Sequence, residues 1–405
     1  MKKITYMLLA GALLCSCADE KPHFLPAPGG TVEIGGIGAT PSSDAAALLD
    51  DDLTTYFEAE VGSENSVEAV VDCSAGRIVA YTLVSSGVVE QGDNGVEALY
   101  DPVSWKVYGS DDGASWNEVD SRSEVAFIAR FQKHIYYLAA PADYAKYKFV
   151  FKANGGDKLT LSDILFHTED PYAAWKNFES PEILFIDLAE DKGSKLYDVL
   201  VQDKIAYLKW HALEICTYLY FNDRDERFPV NTIEYFLEPM PGEVSYKGGS
   251  SPKINIHYST DWIQKSANES LLKLSLETRG VLFHELVHAY QFEPKGIGSY
   301  STNREFWACI EGLADAVRAE AGLFDIAALR KPGGHWPDGY KTTGFFLQWL
   351  TTMNPDALRE FHVTVRDMDV WSFDKAMRAM FGPEKGIEQM WAEYQQFLQS
   401  QAPQA

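Results

Sequence analysis

The sequence predicts a multi-domain protein in which an all-β sandwich precedes an α+β domain, mainly helical with a small sheet. Three observations carry that expectation. From about residue 34 to 168, short runs of β-branched and aromatic residues alternate with turn residues, as sandwich strands do. Past Glu169-Asp170-Pro171 the apolar period becomes helical and stays so to about residue 400, with a few strands inserted before residue 262. The 405 residues are 46% hydrophobic, 13% aromatic and 23% charged. That balance excludes a disordered, collagen-like or coiled-coil chain and suffices for more than one core.

The chain opens on an export signal over residues 1–16. Lys2 and Lys3 precede an apolar run, Ile4 to Leu14, far shorter than the roughly 20 residues needed to span a bilayer. The run ends in Leu14-Cys15-Ser16-Cys17, which resembles the lipobox of bacterial lipoproteins and implies lipidation at Cys17. Asp19 and Glu20 follow, similar to the acidic export tag of some Gram-negative surface lipoproteins. The expectation is an exported cell-envelope protein, at the outer membrane or cell surface, whose membrane contact is its acyl chains alone. Lys and Arg number 35 against 59 Asp and Glu, a net charge of −24, with no basic run, so nucleic acid is not an expected partner.

Residues 17–33, rich in Pro and Gly, read as a tether. The sandwich is placed over 34–168, with strands at Val67 to Val71, Ile78 to Val84, Val103 to Tyr108, Ile135 to Leu138 and Tyr147 to Phe151. A linker over 169–180 leads to the second domain, 181–400. Of the cysteines beyond the signal and Cys17, Cys73, Cys216 and Cys309 are too few and too far apart for a disulfide framework.

Within the sandwich, Leu49-Asp-Asp-Asp-Leu-Thr-Thr-Tyr-Phe57, Val70-Val-Asp72 and Gly109-Ser-Asp-Asp-Gly-Ala-Ser-Trp116 resemble the discoidin-type (coagulation factor type C) module. Asp112-Gly113 supplies the turn angles of the last segment, and Trp116 returns onto the sheet. The resemblance implies a discoidin-like fold, a glycan ligand and a Ca2+ ion in this domain. Tyr56 and Phe57 stand where the family commonly has Trp, which leaves the ligand open among a glycan, the rest of this chain and a protein partner.

The chemistry lies in Arg279-Gly-Val-Leu-Phe-His284-Glu285-Leu-Val-His288-Ala-Tyr-Gln291. On a helix, His284 and His288 at i and i+4 share a face and can hold one Zn2+ between two neutral imidazoles. Glu285 sits about 100° round the helix, poorly placed to ligate but able to reach a metal-bound water. A second helix, with Thr302-x-x-Glu305 as its capping box, carries Glu311 and Asp315 on one face. Glu311 supplies the third metal ligand, and Asp315 orients the remaining N–H of a ligand histidine. Three protein ligands leave one position open, the catalytic arrangement. Gly312, costly in mid-helix, points to a close helix approach.

His284-Glu-Leu-Val-His288 followed by Ile310-Glu-Gly-Leu-Ala-Asp315 resembles the glutamate zincins, and specifically the basic secretory protein family of metallopeptidases. Thr217 to Tyr220, Ile233 to Phe236, Lys253 to Ser259, Gly339 to Leu350 and Met390 to Tyr394 extend the likeness over most of the second domain, although this chain is acidic where the name-giving plant proteins are basic. The resemblance implies one catalytic Zn2+, Glu285 as general base, and Tyr340, ahead of His335, as donor to the developing oxyanion. Lys253 to Ser259 is expected as an edge strand able to pair with an extended peptide. His211 and His257 read as structural or solvent-facing, and Cys309 as a small core residue.

The expected function is therefore a lipid-anchored extracytoplasmic zinc metallopeptidase acting on proteins or glycoproteins. The alternative is a glycan-binding or adhesion lipoprotein whose zincin-like domain is not proteolytic. The intact set of ligands, base and orienting acid favours the enzyme.

Overall fold

The computed structural model describes residues 32–35, 40–73, 76–92, 95–97, 100–154 and 156–401. The export signal, Cys17 and most of the expected tether lie outside the described residues. Among the described residues no helix is long and apolar enough to cross a membrane.

The N-terminal unit is a β-sandwich. One antiparallel sheet has the order Val32–Gly35, Ser66–Asp72, Lys146–Ala153, Pro102–Ser110, Asn117–Arg122. The opposing sheet sets Ile78–Val84 between Lys133–Ala142 and Asp163–His167. Alternate residues of both turn inward, so Val67, Ala69, Trp105 and Phe149 meet Tyr81, Leu83, Tyr136 and Phe166 in one core. Some of its polar tips are paired within the core. Trp105 Nε1 donates to Tyr81 Oη at 2.7 Å, and Tyr81 in turn donates to Asp120 at 2.6 Å.

The second unit is mainly helical around a small sheet ordered Glu182–Asp187, Thr232–Glu238, Lys253–Ser259, Ser245–Ser250. The first three strands are parallel and the last is antiparallel. The expectation of Lys253–Ser259 as the edge is thereby corrected. It is an interior strand, and Ser245–Ser250 covers its flank, with Gly248 and Gly249 where any Cβ would strike Asn255 or the neighbouring backbone. His257 stands on this sheet with its ring stacked between Phe236 and Tyr246, and it binds Glu238 through Nδ1.

The two units share a core. A single buried cluster runs from Leu53, Val84, Val89, Ala129, Phe131 and Leu165 of the sandwich into Tyr197, Leu200, Tyr207 and Leu282 of the helical unit. Hydrogen bonds stitch the seam, with Gln202 N donating to Ile128 O at 2.8 Å and Ser275 Oγ to Gly87 O at 2.8 Å. Phe131, at φ 59°, lays its ring where a Cβ on residue 87 would sit, 2.2 Å away, so only glycine fits there. Beneath it Arg279 is 1% exposed. It donates to Phe131 O at 2.7 Å, to both oxygens of Glu214 at 2.8 and 3.0 Å, and to His211 Nε2 at 3.1 Å. His211 spends its own proton on Tyr207 O, and burial with the Arg279 charge pushes its pKa well down, so it serves here as a neutral acceptor. Of the roles left open for the sandwich, packing on the rest of the chain is the one the structure displays.

Candidate functional site

The helix Leu271–Tyr290 begins at Ser270, whose hydroxyl accepts from Lys273 N at 3.0 Å. Val281, Leu282, Leu286 and Val287 bury its apolar side, which fixes its rotation and turns His284 and His288 toward the helix Arg304–Glu320. That second helix starts one residue later than its sequence suggests. Asn303 is the cap, accepting from Glu305 N and Phe306 N, while Thr302 Oγ1 accepts from Ser299 N. Gly312 does permit a close approach, but of the helix Tyr340–Leu350, since a Cβ there would lie 2.5 Å from Thr343 Cγ2. Cys309 is buried in the core.

His284, His288 and Glu311 come together. The two Nε2 atoms are 3.0 Å apart, and Glu311 Oε2 lies 3.2 Å from His284 Nε2 and 3.7 Å from that of His288. Each offers one ligating atom within 4.8 Å of the others, and among the described residues this is the only such group of three. Two imidazoles and a carboxylate whose ligating atoms lie this close together form a donor set that fits a divalent metal ion. The N-terminal domain, for which a Ca2+ ion was expected, contributes no comparable side-chain group among its described residues.

Each member of the cluster has a hydrogen-bonded support. Asp315 Oδ1 accepts from His284 Nδ1 at 2.8 Å, the place its spacing predicts. Tyr300, on the segment between the two helices, donates its hydroxyl to Glu311 Oε1 at 2.6 Å. Gln291 meets His288 Nδ1 at 2.6 Å. Glu285 is 4% exposed and accepts from Ser245 Oγ, on the edge strand, at 2.6 Å. Sequence reasoning missed Tyr300, Gln291 as a support, and Ser245. Only Gln291 carried a signal, one turn past His288.

Charge is concentrated here. Burial opposes ionisation of His284, yet Asp315 and Glu311 raise its pKa to about 10. Burial likewise acts against Glu311, but hydrogen bonds and charge from the two histidines hold its carboxyl well below the usual range. Tyr340 is 48% exposed and lies parallel to His284 with ring centroids 6.0 Å apart. Partial burial and the Glu311 and Asp315 charges push its hydroxyl up to about 12. Its backbone is left-handed at φ 40°, following Gly339, where any Cβ would run into the Trp307 ring. Strain of this kind persists where the surroundings over-determine it. His335 lies on the exposed loop before that helix, its backbone N–H donated to Asp338 Oδ2 at 2.7 Å, and no hydrogen bond or ring contact joins it to the cluster among the described residues.

Fold and site together define a protein with a β-sandwich in front and, behind it, a helical unit built around a His-His-Glu cluster. A family model described as a peptidase of plants and bacteria matches residues 183–394, more than half of the chain, and the chain belongs to that family. No curated protein matches it.

Solved structures similar to part of the chain include three carbohydrate-binding modules, each matching about a third of it. The family 32 module of Streptococcus pneumoniae EndoD is 12% identical, with 36% of this chain and 99% of that one covered and a TM-score of 0.28. CpGH89CBM32-5 from Clostridium perfringens, in complex with GalNAc-β-1,3-galactose, is 10% identical over the same shares, with a TM-score of 0.28. The family 32 module of Clostridium perfringens NanJ, in complex with galactose, is 8% identical, with 35% and 96% covered and a TM-score of 0.27.

Proposed function

We propose that this family member is a zinc-dependent metallopeptidase, exported and lipid-anchored through Cys17, that hydrolyses peptide bonds of proteins or glycoproteins outside the cytoplasm. The observation that carries the reading is the convergence of His284, His288 and Glu311 beside a carboxylate, Glu285, that is not one of the three converging ligands. A Zn2+ ion bound there supplies a Lewis acid that polarises a carbonyl and acidifies water.

The chain's own residues then have distinct tasks. Asp315 holds the proton on His284 Nδ1, so that Nε2 keeps its lone pair for the metal. Ser245 occupies Glu285 Oε1, which leaves Oε2 to take a proton from the attacking water and return it to the leaving amine. Tyr340, exposed and stacked on His284, donates to the carbonyl oxygen as charge builds on it. The free edge of Ser245–Ser250 offers backbone groups to an extended peptide, with Ser245 at its start beside the base. The sandwich's resemblance to discoidin-type modules at Gly109 to Trp116 supports a glycan ligand, which a glycan array can refute by a clean blank.

The test is metal content and peptide-library cleavage, read by mass spectrometry, for the chain from residue 18 beside Glu285→Ala. Zinc in both with cleavage by the wild type alone is expected. Cleavage by both overturns the role of Glu285, and absence of zinc from the wild type overturns the metal reading.

A further inference from the structure

His284 rests on a carboxylate, but His288 rests on something chemically different. Its Nε2 faces His284 Nε2 at 3.0 Å and Glu311 Oε2 at 3.7 Å, so Nε2 is the atom whose lone pair the cluster uses. The proton of a neutral imidazole then sits on Nδ1, and an Nδ1–H can only donate. Facing it at 2.6 Å is Gln291 Nε2, itself only a donor, while Gln291 Oε1 is buried and has no partner. Gln291 is 5% exposed, so water does not relieve either group.

Both mismatches have one remedy. A half-turn of the amide about its Cγ–Cδ bond exchanges an oxygen and a nitrogen of nearly equal size. It gives the Nδ1–H an acceptor and the orphaned oxygen a donor. We infer that Gln291 is a positioning residue of the metal centre, whose side-chain oxygen accepts the Nδ1 proton of His288 and thereby fixes the tautomer that presents Nε2 to the metal. The inference rests on the metal reading proposed above and not on peptidase activity. Metal-binding histidines generally need such a partner on their other nitrogen, and here the two are met unequally, by a charged acid under His284 and a neutral amide under His288.

The discriminating variants are Gln291→Glu, which keeps an acceptor and loses the donor, and Gln291→Leu, which keeps the bulk and loses both. Zinc affinity of the full chain is measured by competition with a chromophoric chelator. Gln291→Leu is expected to bind zinc about 10- to 100-fold more weakly, and Gln291→Glu at least as tightly as the wild type. A Gln291→Glu protein as weak as Gln291→Leu, or a Gln291→Leu protein as tight as the wild type, overturns the inference.

Should Gln291→Leu fail to fold, the wild type still decides. Long-range 1H–15N spectra of histidine-labelled protein report which nitrogen of His288 is protonated. A proton on Nδ1 upholds the inference and a bare Nδ1 overturns it, with or without zinc. A wild type that takes up no zinc refutes the metal reading, and the tautomer is then judged separately.

Discussion

Replacing Arg279 by Leu should weaken the whole molecule and not merely one helix. The guanidinium is 1% exposed, its Glu214 partner 7%, and the arginine also serves Phe131 O and His211 across the seam between the two units. Taking one partner from a buried ion pair leaves an uncompensated charge and costs about 3–5 kcal/mol. Because one cluster spans both units, a single unfolding transition is expected. An entropy of about 2.1 cal/mol/K per residue gives roughly 0.75 kcal/mol/K for roughly 360 residues, so about 4 kcal/mol lowers Tm by about 5 °C. Differential scanning calorimetry measures this directly. The double variant Arg279→Leu with Glu214→Leu removes both charges and should recover at least half of the loss. A single variant melting within about 1 °C of the wild type, or a double variant no better than the single, refutes the buried-charge argument. Two separate transitions in the wild type refute the shared core.

Other expectations follow from the site and from the sandwich. In the metal-free protein, burial alone would lower His284, but Asp315 and Glu311 raise it to about 10, so zinc must displace a proton at neutral pH. Calorimetric titration at pH 7.5 in buffers of different ionisation enthalpy should show about one proton released, with affinity climbing toward pH 10. A buffer-independent heat contradicts this. The same raised pKa stabilises the metal-free protein below about pH 6.5, and that gain is lost as pH rises through about 10. Tyr340→Phe should lower kcat by about 100-fold with zinc content unchanged; equal turnover removes Tyr340 from the mechanism. Asp163 is raised to about 7 by burial and then by Asp51, and its Oδ2 is buried without a partner. Its contribution to stability is therefore full below about pH 4 and lost as pH rises through 7. Asp163→Asn should flatten that fall and melt higher than the wild type at pH 8, and an unchanged pH profile of Tm rules the assignment out.

What could be read in the sequence was what is local. Ile78–Val84 and Lys253–Ser259 stand where their β-branched runs place them, because strand pattern is written residue by residue. His284, His288, Glu311 and Asp315 were legible because helical spacing alone puts each pair on one face. The edge strand Ser245–Ser250 was not. Ser-Tyr-Lys-Gly-Gly-Ser has no apolar alternation, and its place comes from pairing with Lys253–Ser259. Tyr300 and Ser245 reach the site from an irregular segment and a sheet edge, positions that only tertiary packing sets. The capping box at Thr302 failed by one residue because Asn303, an equally good cap, lies inside it. The seam was unreadable for a similar reason, since nothing near Gly87 or Phe131 marks them as neighbours of Ser275 and Arg279.

The helix Leu271–Tyr290 serves two masters in sequence. Ser275 and Arg279 fasten its first half to the sandwich, and His284, Glu285 and His288 occupy the next turns, with Arg279 and His284 only about 7.5 Å apart along the axis. A rod so short and so well hydrogen-bonded does not absorb a displacement; it passes it on. A displacement of the sandwich is thus delivered to the turns that carry His284 and His288. The sandwich is in this sense a handle on the His-His-Glu cluster, and trading it for another would regrind the lens as well as change the mount.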